Sequence, residues 1–502
     1  MFIRKLITTT VFPAIFLVTA SAASLAAATQ EEADRIKASL QSYLGSEPGV
    51  VAVAAQGDDY VITLDATPYL AKVGTSGFTA KVDPFVMTAR PKGNGQWDVS
   101  QSGPMAFSWN APGISSVDGK IASQEWSGVF DEATASFLSS TFAYTGITIN
   151  QTMDDPQTKI KTTAATAYEN WSGTSTGVPR GDGSVDVTST MAISGVTSSA
   201  KTEMPPEMVA AGMPSLDYTL TNAKSDYTTS AKGLRTKTIL DLVAWLVAHP
   251  SKDLIVQDQA QLKEKILAAL PLWESIDGAA TMNDTSVSSA YGQFGIPVGS
   301  FGLSMSGISK EGKFREAFGF SGLTIPPGIT PPWTEGLIPS SFKIDFALDG
   351  VDLEAPAKLF LAQADFAKDP PIPPEASLLF LPAFAPKNTI GVTLVDSEIS
   401  SPVYTLTYDA NMVINLSGFP TGKANIRMKG LEDVLAKVQA AAATDPMAQQ
   451  AMGGLVAFKG FGKVEADGTT LWAIEVTPDS KVLVNGLDVS AMMGMAPPPP
   501  QP

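Results

Sequence analysis

The chain contains one histidine, His249, and no cysteine. Those two counts remove zinc, copper and haem centres of ordinary composition, together with every cysteine nucleophile. A Ser-His-Asp relay would have to run through His249, which closes an apolar run just before Pro250. There the ring suits the C-terminal end of a helix, where partial positive charge is favoured, and no nucleophile partner is identifiable. The string nearest to a nucleophile elbow, Gly302-Leu-Ser-Met-Ser-Gly307, has the wrong spacing. Ser198/Lys201 and Ser340/Lys343 repeat the Ser-x-x-Lys spacing, but neither S-D-N nor K-T-G accompanies them. A phosphate-cradling loop and a strand-linked G-x-G-x-x-G are both missing, so nucleotide binding has no support.

Carboxylates are the chemistry that remains. Asp345, Asp349, Asp352 and Glu354 cluster around Gly350, and Asp58-Asp59 and Asp154-Asp155 are pairs. Such groups can hold calcium or serve as a glycosidase dyad, yet the spacing fits no EF-hand loop and acidic residues are ordinary at turns. Arg180-Gly181-Asp182 is the tripeptide that integrins recognise. It sits in a turn, and three residues carry little information. The Asn-x-Ser/Thr strings at Asn150, Asn170, Asn283 and Asn415 have no meaning in a bacterium lacking the transferase. No catalytic, cofactor-binding or metal-ligating residue is assigned, and no cofactor is expected.

The elements around these residues begin with an export signal. Arg4 and Lys5 precede an apolar run from Leu6 to Ala20, followed by small residues with candidate cleavage sites after Ala22 and after Ala28. The run is short and broken by Thr8 to Thr10 and Pro13, and no later stretch reaches the roughly 20 apolar residues of a spanning helix. A periplasmic location is expected, without a transmembrane segment in the mature chain. With no cysteine there is neither a lipoprotein anchor nor a disulfide, so the fold must rest on its core. The formal charge is −16, or −18 once Arg4 and Lys5 leave with the signal. An acidic chain with no compensating basic stripe is a poor partner for nucleic acid or anionic headgroups.

Thr29 and Glu32 match a capping box, Ile36, Leu40 and Leu44 share a face, and Gly45 suits a C-cap, so a helix is expected there. Strands are expected at Tyr60–Leu64, Phe78–Val82 and Ser184–Ile193, with turns at 92–95 and 180–183. Thr236–Ala248 and Lys252–Leu270 read as a helical hairpin stopped by Pro250 and Pro271, and Leu431–Ala443 as a third helix. Proline-rich stretches at 325–339 and 369–386 read as rigid loops or linkers. Strands follow at 342–348, 423–428, 470–476 and 481–486, and Leu359 starts a short helix. Tyr218–Thr221 leading to Lys232-Gly233-Leu234 echoes Tyr404–Thr407 leading to Lys429-Gly430-Leu431. This is either a duplication of strand, strand, glycine turn and helix or a coincidence of common residues.

The expected fold is α+β and β-rich: long twisted antiparallel sheets with a central helical hairpin and one C-terminal helix. The expected organisation is a signal peptide at 1–28, a β-rich lobe at 29–215, an α+β lobe at 216–368, a second α+β lobe at 369–495, and a proline-rich tail at 496–502. The segment Leu216 to Trp273, with its helix ILDLVAWLVAHPSKD and closing LKEKILAALPLW, joins with Leu471–Val476 and Val482–Gly486 in one further respect. Together they resemble an uncharacterised exported alphaproteobacterial family, domain-of-unknown-function family 2125. More loosely, the terminal strand followed by Val-Asn-Gly is similar to AsmA-like and YdgA-like envelope proteins. The resemblance implies a periplasmic β-rich protein with no known catalytic residues.

The expected role is a non-catalytic, envelope-associated one, binding a hydrophobic or lipid ligand or an envelope protein. The alternative is a carboxylate-dependent hydrolase acting on envelope glycans. An outer-membrane barrel fits poorly, because of the helical hairpin and an end lacking a terminal aromatic residue.

Overall fold

The computed structural model describes residues 27–73, 77–213 and 217–491. The expected signal segment, up to residue 26, and the proline-rich tail lie outside them. Among the described residues there are twenty-one strands and ten α-helices, and every strand pairing is antiparallel. The fold is α+β and β-rich. The chain divides into two compact units. The first holds Met1–Gly278, Val287–Ala290 and Phe360–Pro373, and the second holds Ala279–Ser286, Tyr291–Leu359 and Pro374–Pro502.

The first unit opens with helix α1, Gln30–Leu44. The Thr29 hydroxyl accepts from the Glu32 N–H at 3.3 Å, and Gly45, at φ +88°, ends the helix. Its apolar face carries Ile36 and Leu40, both fully buried, onto β1 (Val51–Gln56), β2 (Asp59–Leu64) and the start of the next strands. Each such side chain contributes roughly 1.5–3 kcal/mol by leaving water. Helix α2 (Thr67–Val73), β3 (Thr79–Val82) and β4 (Phe85–Gly93) follow in the chain, with α3 (Pro206–Ala210) and β11 (Ser275–Ser289) further on. Ile62, Met87, Ala89, Trp97, Val99 and Phe130 complete this core from the sheet side, and Leu240 completes it from helix α4, Thr236–Ala248. Of the residues of α4, Leu240 and Trp245 are buried. The second arm of the hairpin is two helices, α5 (Lys252–Gln257) and α6 (Gln259–Ala269), because the backbone of Asp258 leaves the helical region between them.

Six strands then dominate the unit: β5 (Gln96–Ala111), β6 (Ser115–Asp131), β7 (Ser136–Asp154), β8 (Lys161–Pro179), β9 (Val185–Glu203) and β10 (Tyr218–Leu234). They form a meander in chain order. With 16 to 19 residues each, they run about 50–60 Å. The alternation expected for Ser184–Ile193 is real but belongs to a strand that runs ten residues beyond Ile193, to Glu203. A row of interruptions crosses the sheet at Ala122, Gly146, Glu169, Gly195 and Ala223, where one residue on each strand drops out of the pairing and the register resumes unchanged. On β5, whose Pro104 has no N–H to give, no residue is added, and β6 gains one relative to it. Gly146 and Gly195 adopt φ of +61° and +62° at these points. Because β6 to β10 each slip by one at the same level, the side-chain parity inverts in each of them while that of β5 is unchanged, and the sheet keeps the same two faces from end to end.

The second unit is another antiparallel meander, β12 (Gly292–Ser306), β13 (Gly312–Ser321), β14 (Ser341–Val351), β15 (Thr389–Ser400), β16 (Thr405–Asn415) and β17 (Thr421–Lys429), with Thr470–Val476 paired beyond β17. Its core lies under helix Leu431–Ala442, as expected, and under a further helix, Pro446–Gly460, which the sequence pattern does not reveal. Leu431, Val434, Leu435 and Val438 pack there around Trp472. The proline-rich stretch 369–386 contains helix Ser377–Phe384, and helix Glu354–Gln363 begins five residues before Leu359, where a helix was expected to start. The echo does not extend to element order: Tyr218 to Leu234 is one strand, whereas Tyr404 to Lys429 spans two.

Candidate binding face

Beyond the helix-backed core, which ends at Trp126 and Phe137, one face of β5–β10 continues as an apolar surface. Its residues form rows across the strands. The row nearest the core is Gln101, Trp126, Phe142, Gly173, Met191 and Tyr227, and the next is Gly103, Gln124, Tyr144, Trp171, Ile193 and Ser225. Past the interruptions come Met105, Ile121, Ile147, Tyr168, Val196 and Asn222, then Phe107, Gly119, Ile149, Thr166, Ser198 and Leu220, and finally Trp109, Val117, Gln151, Ala164, Ala200 and Tyr218. No charged side chain occurs in these five rows. The opposite face carries Lys120, Asp186, Lys201 and Asp226 among serines and threonines, whose hydroxyls pair across strands, as Ser127 with Thr141 (3.1 Å) and Thr174 with Thr190 (3.0 Å).

Aromatic rings on the inner face lie over glycines of the neighbouring strand. The Phe107 ring occupies the position a side chain on Gly119 would take, and a Cβ on Gly173 would sit 2.6 Å from the Phe142 ring. Trp171 meets Phe142 and Tyr144 edge to face, with centroids 6.0 Å apart for Phe142–Trp171 and 5.7 Å for Tyr144–Trp171. Polar groups interrupt this surface, among them Gln101, Gln124, Tyr144, Trp171, Asn222 and Ser225. Gln101 is 8% exposed and Gln124 is 5% exposed. The Gln101 Oε1 acceptor and the Trp171 Nε1–H donor are both buried without a hydrogen-bond partner. Burial pushes the Tyr144 phenol above its ordinary pKa.

The second unit has a polar counterpart, a shallow depression of about 720 Å³ lined by Lys343, Asp396, Glu398, Tyr408, Asp409 and Arg427 among others. One of its acids, Asp409, is engaged by neighbouring groups. Asp409 accepts from Asn425 Nδ2 at 2.8 Å and from Arg427 at 3.2 Å. Beside it, Arg315 grips the buried Asp345 through two hydrogen bonds of 2.8 and 2.6 Å and holds that carboxyl below the usual range.

The chain matches no family model, no curated protein and no solved structure.

The carboxylates singled out by sequence do not converge. Asp352 accepts from the Ala355 N–H at 2.8 Å, Glu354 pairs with Lys358 one helical turn away, and Asp59 holds Arg90. Asp155 folds its own turn through Gln157 and Thr158. Among the described residues no group of three or more His, Cys, Asp or Glu could hold a metal. The carboxyl that burial pushes upward, Glu132, lies in the helix-backed core of the first unit and accepts from Trp97 Nε1 at 2.7 Å. His249 closes α4 as expected. Its Nδ1 lies 2.7 Å from the Trp245 carbonyl and its Nε2 lies 3.1 Å from Asp258, and the ring stacks on Trp245. Arg180 of the Arg-Gly-Asp turn pairs with Glu274 at 2.9 Å, and Asp182 accepts from Ser184. The inner-face residues Gln101, Gln124 and Trp171 were not singled out by sequence. Their only local signal is the alternation of aromatic with small residues along β5–β8.

Proposed function

We propose that the chain is an exported, non-catalytic, envelope-associated protein that binds a hydrophobic ligand, a lipid, along the inner face of β5–β10. The observation that carries this reading is the five-row face without a charge, in a chain of 34 basic and 50 acidic residues. An antiparallel sheet ordinarily keeps one face dry and one wetted. Here the serine- and threonine-rich face is the wetted one, and an apolar surface of this extent calls for an apolar partner. The likeness of the sequence to AsmA-like envelope proteins supports the same reading. The segment around Arg4 and Leu6–Ala20 supports export to the periplasm. Hydrolysis of glycans has less support, because a glycosidase acid needs a raised pKa inside a cleft, and Glu132 lies elsewhere.

The test is organic extraction of the chain purified from the periplasm, followed by mass spectrometry. The wild type is expected to carry lipid in near-stoichiometric amount, and Ile147→Glu with Ile193→Glu on the inner face is expected to strip it. Lipid-free wild type, or equal lipid in the double variant, would refute the reading.

A further inference from the structure

At one end of the second unit's meander, two segments expose apolar side chains next to each other. Helix Ser377–Phe384 (SLLFLPAF) has no buried residue, and its Leu378, Leu379 and Leu381 are 79%, 51% and 54% exposed. These leucines share the outer side with Pro382, while Phe380, Ala383 and Phe384 are half-buried on the other. Asp352, just past β14, holds the helix by donating its N–H to the Phe384 carbonyl at 2.8 Å. Just after the helix, Asn388 binds the turn between β16 and β17. Its Nδ2 donates to Asn415 Oδ1 at 3.1 Å, and its carbonyl accepts from the Leu416 N–H at 3.0 Å. That turn adds Ile414 and Phe419, 41% and 44% exposed. A helix apolar on every side ordinarily lies in a core or a membrane, yet this one faces solvent.

We infer that this end of the second unit is a membrane-docking site, at which Leu378, Leu379 and Leu381, with Ile414 and Phe419 beside them, enter the interfacial layer of a net-neutral phospholipid bilayer. Charge points to that partner. No charged side chain occurs from Ala376 to Pro386 or from Ala410 to Pro420, in a chain of 50 acidic and 34 basic residues. The site therefore has nothing to draw it to anionic headgroups, and it lacks the charged rim that fixes a protein partner. Area points the same way. The five side chains expose a few hundred Å² together, well below the roughly 800 Å² per partner of a stable protein interface. A short apolar segment supported by a folded domain needs no such area to sit in a bilayer surface, because hydrocarbon closes around it from all sides. Asn388, Asn415 and Ser417, all exposed, stand at the base of the two segments, where they meet headgroups as the leucines pass between them. The site is separate from the apolar face of the first unit and does not depend on a ligand there.

The test is flotation of the exported chain with vesicles of phosphatidylcholine and phosphatidylethanolamine, alone or with phosphatidylglycerol added. The wild type is expected to float with the neutral vesicles. Phosphatidylglycerol should not strengthen the binding, and high salt should not release it. Leu378→Ser with Leu381→Ser is expected to lower the partition coefficient at least about tenfold, as two leucines withdrawn from hydrocarbon require. Val464→Ser is the control: it is 64% exposed at the far end of the sheet, where Thr470 pairs with both Val464 and Met428, and it should leave binding unchanged. Leu379→Trp keeps the site apolar, and its emission should shift to the blue on neutral vesicles relative to the wild type. A wild type that stays off neutral vesicles, or binds only with phosphatidylglycerol present, overturns the inference. So does equal binding by the double leucine variant, an equal loss in Val464→Ser, or the absence of a blue shift. A wild type that avoids vesicles but forms a dimer abolished by the double variant makes this end a contact between copies instead.

Discussion

Substituting Gly146 by alanine tests whether the interruption row is built into the first unit or is incidental to it. The φ of +61° at Gly146 places an L side chain in the left-handed region, at a cost of about 1–2 kcal/mol. The new Cβ would also stand 2.9 Å from the Ala122 Cβ, an atom fixed to the backbone of the next strand. Relieving that contact requires the strands to shift, which adds about 1–3 kcal/mol as in other overpacked sites. The expected loss is therefore about 2–5 kcal/mol. Gly195, at φ +62°, carries the same backbone strain but faces only the flexible Glu169 side chain, so Gly195→Ala should lose about 1–2 kcal/mol. Gly181, with no atom within 4 Å of its added Cβ, should stay within about 0.5 kcal/mol. Urea unfolding followed by tryptophan emission gives all three values. Combining Gly146→Ala with Ala122→Gly should restore the packing part and leave the backbone part. The reasoning fails if Gly146→Ala is no more costly than Gly181→Ala, or if Ala122→Gly gives no recovery.

Glu132 makes stability depend on pH in a direction opposite to most carboxylates. Burial raises its pKa above 4.5, against the opposing Trp97 hydrogen bond and Arg35, so the folded chain holds the proton more tightly than the unfolded one. Its contribution is complete below 4.5 and is lost as pH rises through the folded value; Glu132→Gln should abolish this slope, and parallel urea-midpoint profiles for the two proteins would refute it. Asp345 behaves the other way: Arg315 lowers its pKa below 3.8, giving stability that is present above that value and lost as pH falls through the folded one. Arg315→Gln leaves the 5%-exposed Asp345 without its cation and should cost about 1–3 kcal/mol at pH 7, discounted from a fully buried pair because Arg315 is half exposed; a change under about 0.5 kcal/mol in calorimetry would contradict it. Ala28 donates its N–H to the Gly57 carbonyl at 2.9 Å and packs on the core, so signal cleavage is expected after Ala22, which keeps that contact. Intact-mass measurement of the exported protein checks this, and a mature chain beginning at Thr29 would refute it.

Helix α1 was legible in the sequence because its signals are local: Thr29, Glu32 and Gly45 act within their own turns. The last helix, Pro446–Gly460, had an available start signal in Asp445-Pro446, where Asp445 accepts from the Met447 and Ala448 N–H groups. It was obscured by Gly453 and Gly454 mid-helix, which lower helix propensity, and the packing of Ala448, Ala451, Met452 and Leu455 onto the core supports it. The long strands were legible in part. Alternation along β9 reads correctly to Ile193 and then inverts at Gly195, so a search for period two ends where the strand does not. The inner face was not legible at all. Gln101 and Trp171 are 70 residues apart, and their shared place depends on three successive registers that no local pattern encodes.

The inner face also differs from a surface meant to interlock with another protein layer. Close-packed interiors interdigitate, with large side chains standing into gaps on the facing element. On this sheet three such gaps are filled from within, since Phe107 covers Gly119, Phe142 covers Gly173, and Phe137 lies 2.9 Å from where a Cβ on Gly128 would be, while the space over Gly103 stays open. Rings laid over glycines flatten the surface and leave few holes for an incoming side chain. A rigid partner would gain little from such a face beyond area, because it could not seat knobs in it. A fluid chain needs no holes, since it adapts to the surface offered and gains mainly from leaving water.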